Sequence, residues 1–159
     1  MNEKNKTPSL YEWAGGMQAF ENLTKLFYQK VLQDDLLEPV FKHMSPDHQQ
    51  RVAHFIAEVF GGPKIYSSED GSHYSMIQKH LSKRLTEDQR KQWIRLLLET
   101  ADEIGLPSDP EFRSAFVAYI EWGTRIAVNN SNTDELQMNP NEPMPKWGWG
   151  EPGGPYLPE

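Results

Sequence analysis

Apolar residues return every three or four positions through most of the chain, and that is the period an α-helix imposes on a buried face. Phe20, Leu23, Phe27 and Val31 trace it first, and Val52, Phe55, Ile56 and Val59 trace it again. Trp93, Leu97 and Ala101 repeat it, as do Phe112, Ala115, Phe116, Tyr119, Ile120 and Ala127. No persuasive set of alternating strand patterns accompanies them. The chain therefore reads as all-α, with five or six amphipathic helices sharing one core. Its 159 residues are enough for about one domain, with a core able to enclose a small cofactor.

The breaks between periodic stretches set the organisation. Gly15-Gly16 reads as a turn between a short lead helix and a longer one, within a helical region running from about Tyr11 to Leu37. In "QDDLLEPVF" Pro39 interrupts the helix and leaves a short second one. Ser45-Pro46 predicts a helix over 46–60, with Ser as the cap and Pro at the first position, and "GGP" at 61–63 ends it. "KIYSSEDGS", 64–72, has no period and reads as a loop. A short helix fits 73–80, and Thr86 opens another through T-E-D-Q, a capping-box pattern. "GLPSDPEF" is a turn, then a helix begun by proline. Beyond Asn129 the chain becomes rich in Pro and Gly, "NPNEPMPKWGWGEPGGPYLPE", with Trp147, Trp149 and Tyr156 in it. Two readings stay open there: a disordered tail, or an extended segment pinned by its aromatic side chains.

Composition removes several function classes. With no cysteine, disulfides, thiol catalysis and thiolate metal sites are excluded, so an iron centre would need histidine or another non-thiolate ligand. A formal charge of −7 without a long basic run argues against a nucleic-acid partner. No apolar run approaches a membrane span, and "MNEKNKTPSL" carries no secretion-signal core, which makes the cytoplasm the default location.

The chemistry-bearing residues fall on the helical stripes. His48 precedes Val52 by four positions, so a histidine opens an otherwise apolar face that continues through Phe55 and Val59. Met76 and His80 are also four apart, with Ile77 beside them. By spacing alone His80 is either a core-edge histidine satisfied by a carbonyl or an axial iron ligand. The second role needs no local ligand cluster if a porphyrin supplies four nitrogens. Tyr28 and Trp93 are either core aromatics or pocket donors, each with one donor hydrogen. Arg51 is either solvated or a partner for a haem propionate, as are Lys79, Arg84 and Tyr66.

The ordered pieces "YEWAGG", "FYQKVLQDDLLEPVF", "FGGPKIYS", "MIQKH", "QWIRLLLETADEIGLP" and "FRSAFVAYIEWGTRIAVNNS" resemble the truncated globins, specifically the second, O-type group. The resemblance spans about 11–131. It implies a globin-like, two-over-two helical sandwich around haem b, flanked by an extension at 1–10 and a Pro/Gly/Trp-rich one at 132–159. It also implies site roles. His80 matches the proximal iron ligand, Tyr28 the distal tyrosine, Trp93 the tryptophan donating into the distal pocket, and Phe41 the aromatic packed near haem. Phe at position 41 removes one hydroxyl donor. His48 matches the distal position facing the ligand, where some relatives carry a small residue; Val52, Phe55 and Ile56 match pocket-lining positions. Arg51 matches a propionate partner, and Gly61-Gly62 a glycine pair ending the distal helix. The expected ligands are dioxygen and other diatomic gases such as CO and NO. The alternative is a redox enzyme acting on nitric oxide or peroxide with an external reductase, since no flavin domain is visible. A monomer or homodimer fits equally.

Overall fold

The computed structural model describes residues 7–136 and 138–157. Among these residues seven α-helices run in chain order: α1 Leu10–Ala14, α2 Met17–Val31, α3 Glu38–Phe41, α4 His48–Val59, α5 His73–Gln78, α6 Glu87–Glu103 and α7 Pro110–Ser131. A π-helical turn, Tyr66–Asp70, lies between α4 and α5. No strand occurs among the described residues.

Helix α2 packs chiefly on α4 and α6, and α6 packs on α7, giving two helix pairs laid across each other. This is the all-α, two-over-two globin sandwich. Its centre is aromatic. Phe60, just past α4, lies 5.9 Å from Phe20 of α2, 5.9 Å from Phe116 and 5.5 Å from Tyr119 of α7, measured between rings. Phe20, Phe27, Phe60, Phe112 and Phe116 are all fully buried. Each such side chain contributes roughly 1.5–3 kcal/mol of burial free energy.

Capping chemistry fixes several helix starts. Ser9 and Glu12 form a reciprocal box at α1, and Thr86 and Gln89 form the expected one at α6. Asp109 caps α7 through the Phe112 N–H and also accepts the Trp13 indole N–H at 2.7 Å, which ties α1 to α7. The glycine pair after α4 has a steric reason. Gly61 is left-handed at φ +98°, and a Cβ on Gly62 would lie 2.6 Å from the Tyr11 ring and 2.8 Å from the Ala57 carbonyl oxygen. The backbone comes that close because the Tyr11 N–H donates to the Phe60 carbonyl.

Three sequence expectations need correction. Helix α2 stops at Val31 rather than Leu37, because Asp34 folds the chain back by accepting the N–H groups of Leu36 and Leu37. Helix α4 starts at His48, not Pro46. Ser45 is not its cap; its hydroxyl donates to Asp47 and accepts from Arg51. Residues 64–72 are not all loop, since Tyr66–Asp70 make the π-helical turn.

The C-terminal segment is pinned. The Trp147 N–H donates to the Val59 carbonyl at 2.8 Å, and its ring packs against Tyr119 and Trp122. The Trp149 indole donates to the Pro8 carbonyl at 2.8 Å and meets Trp13 edge-on. The segment thus crosses from the end of α7 over α4 to the start of α1.

Candidate functional site

Tyr28 is the point where four elements meet. Its ring lies 5.0 Å from His48 of α4, 5.7 Å from Phe41 of α3 and 4.8 Å from Phe27 of its own helix, and Phe27 is 4.9 Å from Trp93 of α6. Tyr28 can sit this deep, at 2% exposure, because α2 is packed on both α4 and α6. Burial pushes its hydroxyl above the ordinary tyrosine range, and the Trp93 side chain beside it offsets part of that rise. Tyr28 is therefore a protonated donor at any ordinary pH.

His48 Nε2 lies 3.1 Å from the Tyr28 hydroxyl. Burial first, then the positive charges of Arg51 and Lys79 and the nearby His80, push His48 down to about 4, so the ring is neutral at pH 7. His80 and Lys79 stand just beyond the end of α5, near enough for their charges to act on His48.

His80 carries the decisive geometry. Its Nδ1 is 2.8 Å from the Met76 carbonyl oxygen. A carbonyl only accepts, so Nδ1 must carry the proton and Nε2 is left with a bare lone pair. Burial, the leading cause, together with Lys83 and Lys79, lowers its pKa, while the Met76 bond pulls the other way. A neutral imidazole with its second nitrogen fixed by a carbonyl is the form that ligates a metal. Among the described residues no group of three or more His, Asp or Glu side chains stands together as an ion site. Four of the expected apolar side chains keep uncovered surface that a flat apolar group could take. Phe41, Val52, Met76 and Trp93 pack against the core yet stay only partly buried.

The remaining expected residues divide. Phe55 is buried on α4, 4.9 Å from the Tyr66 ring. Ile56 is buried one position on. Arg51 is partly covered, held by the Ser45 hydroxyl at 2.8 Å and by Asp47 at 3.4 Å, and its charge reaches both His48 and Tyr66. Tyr66 is buried with Ser75 beside its hydroxyl. Arg84 is committed elsewhere, with Nη2 donating to Asp134 at 2.8 Å. Sequence reasoning missed the part played by Phe27, whose apolar spacing marked it as core and gave no sign that it wedges Tyr28 against Trp93. It also missed the His54–Asp70 pair, 2.7 Å apart, which fastens α4 to the π-helical turn.

The bacterial-like globin family matches residues 9–122. The chain belongs to that family. This globin is 25% identical over 120 residues to the group 2 truncated hemoglobin YjbI of Bacillus subtilis, covering 76% of this chain and 89% of that one. It is 30% identical over 102 residues to a group 1 truncated hemoglobin of Tetrahymena thermophila, covering 64% and 80%. The structure of the truncated oxygen-avid haemoglobin from Bacillus subtilis superposes with TM-score 0.68 at 26% identity, over 77% of this chain and all of that one. The group II truncated hemoglobin from Bacillus anthracis shares the fold with TM-score 0.71 at 22% identity, over 84% and 98%. By fold and sequence together this globin sits with the group II truncated haemoglobins. The fold is that of the haem-binding globins. No helix among the described residues is long and apolar enough to cross a membrane.

Proposed function

We propose that this globin binds dioxygen, and related gases such as CO and NO, at a pentacoordinate haem b whose axial ligand is His80 and whose distal donors are Tyr28 and Trp93. The observation that carries the reading is the hydrogen bond from His80 Nδ1 to the Met76 carbonyl, which leaves Nε2 as a bare donor. When bound, haem supplies an iron with one open position for a small gas. Phe41, Val52, Phe55 and Met76 would supply its apolar contacts. Arg51 is a partner for a propionate, and Tyr66 stands behind it. Arg84 would serve only after leaving Asp134. The oxygen-avid relative supports a distal side rich in donors.

The chain's own part is electrostatic and steric. The Tyr28 hydroxyl, kept protonated by burial, offers its hydrogen to an electron-rich ligand atom, and the Trp93 N–H is a second donor nearby. Neither group has to reorganise far, because Phe27 and Phe41 brace Tyr28 from two sides. A charge-assisted hydrogen bond of this kind is worth about 1.5–3 kcal/mol, which predicts slow gas release. The site residues, and the division into a globin domain at 11–131 with flanking extensions, remain part of this proposal.

Absorption spectra of ferric, reduced and gas-exposed protein test the reading. Wild type should take up one haem and show a histidine-ligated Soret band. His80→Gly should lose that signature and regain it with free imidazole. Tyr28→Phe should keep the signature but release oxygen about ten- to a hundredfold faster. A histidine-ligated spectrum surviving in His80→Gly would reject the assignment.

One observation favours a second reading, reduction of peroxide or dioxygenation of nitric oxide with electrons from an external reductase. His48 places a neutral imidazole against the Tyr28 hydroxyl, so a proton acceptor stands on the distal side. Turnover equal in wild type and His48→Ala would remove His48 from that role.

A further inference from the structure

Among the described residues only two non-glycine positions have left-handed backbone, Ser82 at φ 64° and Arg84 at φ 53°. Both follow His80 within four positions. L-residues resist this conformation, and it persists only where surrounding contacts over-determine it. Glycine would adopt it without resistance, yet the chain carries a serine and an arginine there.

The restraint comes from the end of α7. The Ser82 N–H donates to the Thr133 carbonyl at 2.9 Å, and the Arg84 N–H to the Ser131 carbonyl at 2.8 Å. The Leu85 N–H donates to Ser131 Oγ at 3.0 Å, and the Asn132 amide donates to the Leu85 carbonyl at 3.2 Å. Ser131 is wholly buried, and its own hydroxyl hydrogen goes to the Val128 carbonyl at 2.7 Å. One carboxylate oxygen then gathers both left-handed residues: Asp134 Oδ1 accepts the Ser82 hydroxyl at 2.6 Å and the Arg84 guanidinium at 2.8 Å. These two donors hold the Asp134 carboxyl below its usual range, so it is ionised at neutral pH. Helix α5, which leads into His80, finds its main helical neighbour in α7 as well.

We propose that Ser131 and Asp134 form a proximal latch: by holding Ser82 and Arg84 in left-handed backbone, the last residue of α7 and those just past it set where His80 stands and how freely its ring turns. The inference rests on the reading of His80 as axial ligand. Ser131 and Asp134 are positioning residues and touch neither haem nor gas. Release of the latch lets 82–84 relax toward extended backbone. The chain at His80 then loses its downstream anchor, and the bond from Nδ1 to the Met76 carbonyl loses its fixed geometry.

The test is resonance Raman spectroscopy of reduced, ligand-free holoprotein, read at the iron–histidine stretch, alongside the rate of haem transfer to apomyoglobin. Asp134 is exposed, so Asp134→Ala should fold. It should shift and broaden the iron–histidine band and speed haem transfer about threefold. Adding Ser82→Gly and Arg84→Gly to that variant should move the band back toward wild type, because glycine adopts left-handed backbone without strain and the bonds to the Thr133 and Ser131 carbonyls then suffice to keep it. A band and rate unchanged in Asp134→Ala would overturn the latch, as would a shifted band that the glycines leave untouched. Failure of the underlying reading looks different: wild type would show no iron–histidine band, or His80→Gly would keep one.

Discussion

The two sides of the site are held by different means. The proposed distal side is a packed aromatic wall, in which Tyr28, Phe27, Phe41, His48 and Trp93 from α2, α3, α4 and α6 brace one another ring to ring. The proposed proximal side is a six-residue helix, α5, and a following stretch held by hydrogen bonds to Ser131 and to the residues just past α7. Packing free energy scales with area removed from water and resists any change of volume. Hydrogen bonds at an exposed corner contribute less, but they fix direction. The distal wall is thus built to keep its shape, and the proximal corner to set an angle.

The largest expected effect breaks the wall itself. Phe27 is fully buried and wedges Tyr28 against Trp93. Phe27→Ala should cost about 3–5 kcal/mol in urea unfolding and loosen both donors, so that gas release also speeds up. A loss below about 1 kcal/mol would mean the wall closes over the gap and is not rigid.

A smaller effect is expected farther along the C-terminal segment, where the Trp147 N–H meets the Val59 carbonyl at the end of α4. The charge of Glu142 reaches His73, the first residue of α5, whose buried Nδ1 has no hydrogen-bond partner. Trp147 is only partly covered, so Trp147→Ala should cost about 2–3 kcal/mol by thermal or urea unfolding, below the full-burial range. Unchanged stability would make the pinned segment an ornament of the fold.

The same contrast explains what was legible. Part of the wall could be read because Phe27, His48 and Trp93 lie on helical stripes whose period is local, whereas the roles of Tyr28 and Phe41 came from the family resemblance. The Thr86 box was readable for the same reason, since both partners lie within three positions. The α4 start misled because Ser45 and Pro46 have the chemistry of a cap, while Arg51 and Asp47 claim the serine hydroxyl instead. The proximal latch had no local signal at all. Ser82 and Asp134 are 52 positions apart, and left-handed backbone at a serine or an arginine goes against intrinsic preference. Only the tertiary contact creates it. Arg84 shows what reading charge without partners leaves out: as a cation close in sequence to His80 it suited a propionate, and in the fold Asp134 holds it.

The smallest expected effect sharpens the comparison from the distal side, through pH. His48 titrates at about 4 in the folded chain, against an ordinary value of about 6.5. The folded state therefore binds fewer protons than the unfolded one between those values, and stability rises with pH across that window. The contribution is fully present above about pH 6.5. It is lost progressively as pH falls toward 4, and below that both states are protonated and the loss levels off. His73 and His80 are depressed in the same direction, so wild type alone cannot isolate His48. The readout is the difference in unfolding midpoint between wild type and His48→Gln: flat above pH 7, then moving in favour of the variant as acid is added. Parallel curves through the whole range would mean that His48 leaves the wall on protonation without cost. Its bond to Tyr28 would then be a hinge rather than a brace, because a protonated Nε2 facing Arg51 and Lys79 can donate to the phenol but no longer accept from it.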